Sequence, residues 1–165
     1  MTPLAAEILS IMPELRRYSF ALIGDRQRGD RYIEVVLETL LQEPTRIRRG
    51  DDVRFKLYDL FHDVIARFGI DGRDALPCDD DADDFDSLGR VRDRVLDLPL
   101  SERKMLLLTL VEGFSLPQAA ALAELSLMDA SLKTGAALRK LSYYLAPAAA
   151  ETPIQDRRPE LMQYA

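Results

Sequence analysis

The stretch EGFSLPQAAALAELSLMDASLKTGAALRKL, Glu112 to Leu141, decides the fold. Gly113 is a stop for whatever helix precedes it. Ser115 and Gln118 have the spacing of a capping box, with Pro117 fitting the first turn. A short helix over 116–124 follows. Ser126 then caps a longer one, 127–145, with Asp129 three residues on. Ala119, Ala120, Leu122, Ala123 and Leu125 supply the small apolar contacts that two crossed helices need. The punctuation is that of a helix-turn-helix, but the charge is not that of a DNA reader. The second helix, SLMDASLKTGAALRKLSYY, carries Lys133 as its only basic residue before Arg139, and Asp129 occupies the turn where a phosphate would otherwise sit. What remains is small and apolar, the surface of a protein-binding groove.

Upstream, LPLSERKMLLLTLVEG (98–113) reads as a helix beginning near Leu98–Ser101 and ending at Gly113. The first third is also helical. Leu4, Ile8, Ile11 and Leu15 recur at helical spacing, and Pro13 either starts a second helix or kinks the first. ELRRYSFALIGD runs to Gly24; GDRQRGD (24–30) reads as a turn. A helix over 30–44 is expected to open on Asp30 and to place Ile33, Val36, Leu37, Leu40 and Leu41 on one stripe. After the basic loop TRIRRG, a helix over 51–69 opens on Asp and closes on Gly. Its apolar face is broad enough to need partners on two sides.

Between these halves, residues 72–92 hold Gly, Pro and six aspartates from 79 to 86, a composition that repels itself and extends. Asp79, Asp81 and Asp83 have calcium-loop spacing, but Asp84 stands where the loop needs glycine and Arg90 where it needs the closing glutamate. The fold class predicted is all-α: a helical bundle over 1–72, an acidic linker over 73–92, a helix-turn-helix unit over 93–146 and a loose Ala/Pro-rich tail over 147–165.

The net charge of −6 is concentrated in the linker, since residues 76–98 carry 3 basic and 8 acidic side chains while 99–165 carry 7 of each. No segment is basic enough for a tight, sequence-independent grip on phosphates. One cysteine, Cys78, and one histidine, His62, nearly exclude zinc sites and Cys/His or Ser/His/Asp catalysis. No catalytic, cofactor-binding or metal-binding residues are expected. No membrane-spanning run or signal pattern is visible, and a cytoplasmic setting fits.

The order helical bundle, acidic linker, helix-turn-helix resembles region 2 and region 4 of an extracytoplasmic-function sigma factor. Aligned on Leu125–Leu141, that family's basic positions fall on Ser131, Lys133, Ala136 and Leu138, so three of four are lost. Its acidic region 2 stretch falls on Asp30 to Val35, where the charge pattern is lost too. PELRRYSFALIGD (13–25), FKLYDLFHDVI (55–65) and LPLSERKMLLLTLVEGFS (98–115) look closer to the sigma-like output domain of PhyR-type general-stress-response regulators. The resemblance spans about residues 3–145. It implies a sigma-factor mimic that binds an anti-sigma factor of NepR type and frees the true sigma factor by partner switching. In that family a receiver domain gates binding by phosphorylation. No receiver falls within these residues, so the expectation is either a fragment or a stand-alone mimic.

A decoy must keep the sigma shape yet not compete for promoters, and removing cations from the reading helix does both. The partner is expected to lay amphipathic helices on Phe55, Tyr58, Phe61 and His62 of the first half and on Leu107, Val111, Phe114, Leu132 and Leu138 of the second. The alternative is a divergent sigma factor that binds RNA polymerase core and promoter DNA through Lys133, Arg139, Lys140 and the region 46–56. A small helical enzyme lacks any nucleophile, base or ligand set. The halves could be closed on one another or open about the linker.

Overall fold

The structure is a computed structural model that describes residues 3–70 and 89–145. The acidic stretch with its calcium-like spacing, most of the expected linker and the tail lie outside the described residues. Within them the fold is all-α.

Helix α1, Pro3–Ile23, runs straight through Pro13 and buries Ile11, Leu15, Tyr18, Leu22 and Ile23. No second helix starts at Pro13. Its missing N–H strands the carbonyl of Leu9, whose side chain is exposed, so the defect faces the solvent side. Gly24 ends the helix at φ +87, where its amide donates to the Phe20 carbonyl over 2.8 Å.

Helix α2, Arg26–Gln42, starts earlier than the sequence suggests. Asp25, not Asp30, is the cap, accepting from the Arg28 amide over 2.7 Å. Gly29, expected in a turn, lies inside α2 as a contact point. A β-carbon there would stand 2.7 Å from Ser19 Oγ of α1, so only glycine permits this approach. The stripe Ile33 and Val36 is buried together with Tyr32, while Leu41 at the helix end is exposed.

A 3-10 turn, Pro44–Arg46, drops Ile47 into the core. Helix α3, Val53–Phe68, is capped by Asp52 and closed by Gly69 at φ +74. It packs against α1, α2 and a helix of the second half, as its broad apolar face requires.

The second half opens with α4, Gly89–Leu96, a helix not anticipated as a separate element. Helix α5, Leu100–Leu106, continues as a π-helical segment, Leu107–Val111. The capping box at Ser115 and Gln118 forms with both reciprocal bonds and starts α6, Leu116–Leu122. Ser126 accepts from the Asp129 amide over 3.1 Å at the start of α7, Leu127–Leu145. The turn between them passes through Glu124 at φ +55, a region that glycine usually occupies.

The two halves are closed on each other. A single apolar cluster runs from Ile11, Leu15 and Tyr18 through Tyr58, Phe61 and Ile65 to Met105, Leu108, Phe114, Ala119 and Leu122. Each large side chain buried in it contributes roughly 1.5–3 kcal/mol of transfer free energy.

Candidate functional site

Two surfaces could carry function: the seam between the halves and the solvent face of α7.

The seam is built from α1, the start of α3 and the end of the π-helical segment. Arg54, in the first turn of α3, donates from Nε to Glu14 of α1 over 2.9 Å. Its Nη2 donates to the Glu112 carbonyl over 2.8 Å and to the Glu112 carboxylate over 3.1 Å. The Glu112 side chain is only 4% exposed. It also accepts from the Tyr58 hydroxyl over 2.5 Å. The Arg54 guanidinium lies over the Phe114 ring at 4.3 Å and over the Tyr58 ring at 5.2 Å. Phe114 meets Tyr58 edge-on at 5.0 Å and Phe55 at 6.4 Å. The π turn makes this possible. The Glu112 amide donates to the Leu107 carbonyl and the Phe114 amide to the Leu108 carbonyl, so Glu112 and Phe114 both face the first half.

Deeper in the seam, His62 Nε2 and the Tyr18 hydroxyl share a hydrogen bond of 2.9 Å. Burial, and secondarily the Lys104 ammonium on α5, hold the imidazole far below its ordinary value, at about 3, so it is neutral. Burial also pushes the Tyr18 and Tyr58 phenols well up, assisted at Tyr58 by its bond to Glu112. Neither tyrosine ionises near neutrality.

A second tie joins the halves at the far end of α1. Arg103 of α5 donates to the Leu22 carbonyl over 2.6 Å, to the Leu98 carbonyl over 3.1 Å and to the Leu96 carbonyl. One guanidinium thus satisfies carbonyls at the ends of α1 and α4. Leu96 packs so close to Gly24 that a β-carbon there would stand 2.7 Å away.

The sequence-derived partner residues separate into two sets. Tyr58, Phe61, His62, Leu107 and Phe114 are buried in this closed arrangement, and Phe55 is half-buried. Val111 (63% exposed), Leu132 (63%) and Leu138 (40%) face solvent. The structure adds Leu110, Leu127, Met128 and Tyr143 as exposed apolar side chains. Met128, Leu132, Arg139 and Tyr143 share the outermost line of α7 at spacings of four, seven and four. Among the residues of the DNA-binding alternative, Lys140 is engaged by Glu102 of α5 over 2.7 Å. Arg139 is exposed and Lys133 half-buried. The sequence places Arg54 only within the region 46–56 of the DNA-binding alternative and gives Glu112 no role. The only signal was one acid breaking the apolar run 105–111 just before Gly113.

Among the described residues no group of His, Cys, Asp and Glu could hold a metal ion. No described helix is long and apolar enough to cross a membrane.

The family model described as the sigma2 domain of PhyR matches residues 8–62. The phyllosphere-induced regulator PhyR of Methylorubrum extorquens is 32% identical over 109 residues, which is 66% of this chain but 38% of that protein. The chain therefore spans well under half the length of that relative. The sigma-like domain of PhyR from Sphingomonas sp. Fr1, solved in complex with NepR, is 31% identical. The match covers 86% of this chain and 88% of that one, with a TM-score of 0.70. The sigma factor RpoE of Bartonella quintana, solved with the anti-sigma factor NepR, superposes with a TM-score of 0.67 over 86% of this chain and 95% of that one. At 15% identity it shows a shared fold alone.

Proposed function

We propose, from the premise that this chain belongs to the family of PhyR sigma-like domains, that it is a sigma-factor mimic. It binds an anti-sigma factor of NepR type and thereby releases the real sigma factor, regulating stress-response transcription in the cytoplasm. Its work is binding, not catalysis. The observation that carries this reading is α7. On a sigma-like fold, the helix in the place of the DNA reader exposes Met128 and Leu132, and one of its few cations, Lys140, is paired with Glu102. An apolar line on a helix seats an amphipathic partner helix, whereas phosphate binding needs free cations. Val111, Leu132 and Leu138 contribute to the surface available in the closed form. Phe55, Tyr58, Phe61, His62, Leu107 and Phe114 become available where the seam parts.

The test is competition. The purified chain is mixed with a preformed complex of a general-stress sigma factor and its NepR-type anti-sigma factor, and sigma release is followed by size exclusion. Release supports the mimic. Binding to polymerase core with promoter-specific transcription would replace it with a divergent sigma factor acting through Lys133, Arg139 and Lys140.

A further inference from the structure

The outermost line of α7 is symmetric about its own middle. Met128 and Tyr143 stand at its two ends, and Leu132 and Arg139 stand inside them, all four exposed. Each pair straddles the point between Gly135 and Ala136 equally, so the spacing of four, seven and four is palindromic. The middle is also the narrowest part of the line, with glycine and alanine side by side. Glycine inside a helix costs about 1 kcal/mol against alanine. Nothing among the described residues requires it here. The one contact a β-carbon at Gly135 would make is with the flexible tip of Arg139, on the same helix, at 3.4 Å. Helices approach one another most closely where small side chains meet. A glycine that its own fold does not need, at the centre of an exposed palindromic line, fits an approach from outside the chain.

We infer that α7 is the interface of a symmetric dimer, in which a second copy of this chain lays its own α7 antiparallel along the first. A twofold contact is self-complementary: where one residue meets another, the second meets the first. With the axis between Gly135 and Ala136, Met128 faces Tyr143 of the second copy and Leu132 faces its Arg139, and each contact occurs twice. A thioether packs well at the edge of an aromatic ring, and the stem of an arginine covers a leucine while its head stays in water. The charges agree with this direction. Asp129, the single acid of α7, lies opposite Ser142 of the second copy and one turn from its Arg139. A parallel pairing would set Asp129 against Asp129 and Arg139 against Arg139. One helix on one helix is smaller than a standard interface of about 20–30 residues a side, so the dimer is weak and transient, with a Kd of roughly 10–100 µM. The dimer does not depend on the proposed anti-sigma binding, but its consequence rests on that reading. The paired helices withhold from the anti-sigma factor the line that it would occupy.

The experiment combines sedimentation equilibrium of the full chain, from about 1 µM to about 1 mM, with cysteine cross-linking in a Cys78→Ser background. Gly135→Cys sits beside the twofold axis, so the two thiols meet, and copper-catalysed air oxidation is expected to join the chains. Met128→Cys lies about 22 Å along the axis from its own copy and is expected to cross-link at least tenfold more slowly. Random collision gives the opposite order, because Met128 is exposed and Gly135 only half so. Met128→Cys combined with Tyr143→Cys is expected to restore the cross-link. Gly135→Lys sets like charges on long side chains at the axis, in a residue that favours helix, and is expected to weaken the dimer at least tenfold. Far-ultraviolet dichroism confirms that each variant stays folded. A wild-type chain that is still monomeric at the highest concentration overturns the dimer and leaves the line to a partner of another kind. A dimer unaffected by Gly135→Lys, or one that joins Met128→Cys faster than Gly135→Cys, overturns the antiparallel pairing. The NepR of Sphingomonas sp. Fr1, used as the probe for the consequence, is expected to convert the dimer into a complex of one chain with one NepR. A complex of two chains with two NepR overturns the competition. No NepR binding at dilutions where the chain is monomeric overturns the proposed function instead, while the mass and the cross-links still decide the dimer.

Discussion

His62 makes the closed fold sensitive to mild acid. In the folded chain its value is about 3, against 6.5 for the free side chain, because the ring is buried with the Lys104 ammonium nearby. The folded state holds the neutral form and takes up no proton at mildly acid pH. The unfolded state does take one up, so protonation favours unfolding. Stability is fully present above the unfolded value and declines as pH falls below 6.5. Going from about pH 7.5 to about pH 5.5 takes the unfolded imidazole from roughly one-tenth to roughly nine-tenths protonated, which costs the fold about 1.4 kcal/mol. For a chain of this size that lowers Tm by roughly 3–6 °C. Since His62 is the only histidine, no other side chain of ordinary pKa titrates across this window. Asp63, held above the ordinary aspartate value by burial and by Asp59, contributes with the opposite sign, toward more acid pH. The assay is urea unfolding at the two pH values for the wild type and His62→Gln. The wild type should lose about 1.4 kcal/mol, and the variant should be nearly flat whatever its absolute stability. A flat wild type, or a variant with the same slope, refutes the argument that a buried neutral imidazole controls this titration.

Three further outcomes are expected. Met128→Asp with Leu132→Asp should leave the melting transition within about 0.5 kcal/mol of wild type, because both side chains are exposed, yet abolish binding to a NepR-type partner by calorimetry. Gly29→Ala should destabilise by about 1–2 kcal/mol in the wild type, where Ser19 Oγ blocks the new methyl, but not in Ser19→Ala, where alanine's helix preference of about 1 kcal/mol should instead emerge. Binding to promoter DNA should be weak, with a shallow dependence on salt. Restoring arginine at Ser131, Ala136 and Leu138 should steepen the logarithmic salt slope by about one unit for each phosphate contact regained, as read by fluorescence anisotropy at several ionic strengths.

The parts of the fold legible in the sequence are those fixed by neighbours in the chain. The capping box at Ser115 and Gln118, the Ser126 cap and the stops at Gly24, Gly69 and Gly113 each follow from residues within a turn of one another. The start of α2 is ambiguous in the sequence because two aspartates, Asp25 and Asp30, could cap it. The choice fell to Asp25 because the chain between them packs on α1, with Gly29 against Ser19, and no local rule contains that contact. The turn at Glu124 lacks the glycine that usually marks a positive φ, so its geometry is set by the crossing of α6 on α7. The candidate surface shows the same division. Aromatics at helical spacing read as contacts in the sequence, but Tyr58, Phe61 and Phe114 lie in the interior because each removes a large apolar area from water. The less conspicuous Met128 and Leu110 stayed outside.

The π-helical segment explains why the seam could not be foreseen. In an uninterrupted α-helix the Glu112 amide would bond to the carbonyl of Leu108; here it reaches back to Leu107, and Phe114 takes Leu108. That one-residue shift rotates everything after it by roughly a third of a turn relative to an α-helical continuation. It brings the carboxylate of Glu112 and the ring of Phe114 to bear on Arg54 and Tyr58, while Leu110 and Val111 are left outside. Nothing in LLLTLVEG requires such a shift, since an α-helix over the same residues satisfies the local pattern equally well. Its stabilisation is tertiary, supplied by partners some 54 to 58 residues away in the chain. The register shift and the contact of Glu112 with Arg54 and Tyr58 are therefore one feature. A chain with residue 110 deleted should resume α-helical register, turn Glu112 away from Arg54 and open the seam. The distance between spin labels at exposed positions 38 on α2 and 131 on α7 would show this directly, and a folded deletion variant that stayed closed would separate the π turn from the seam contact.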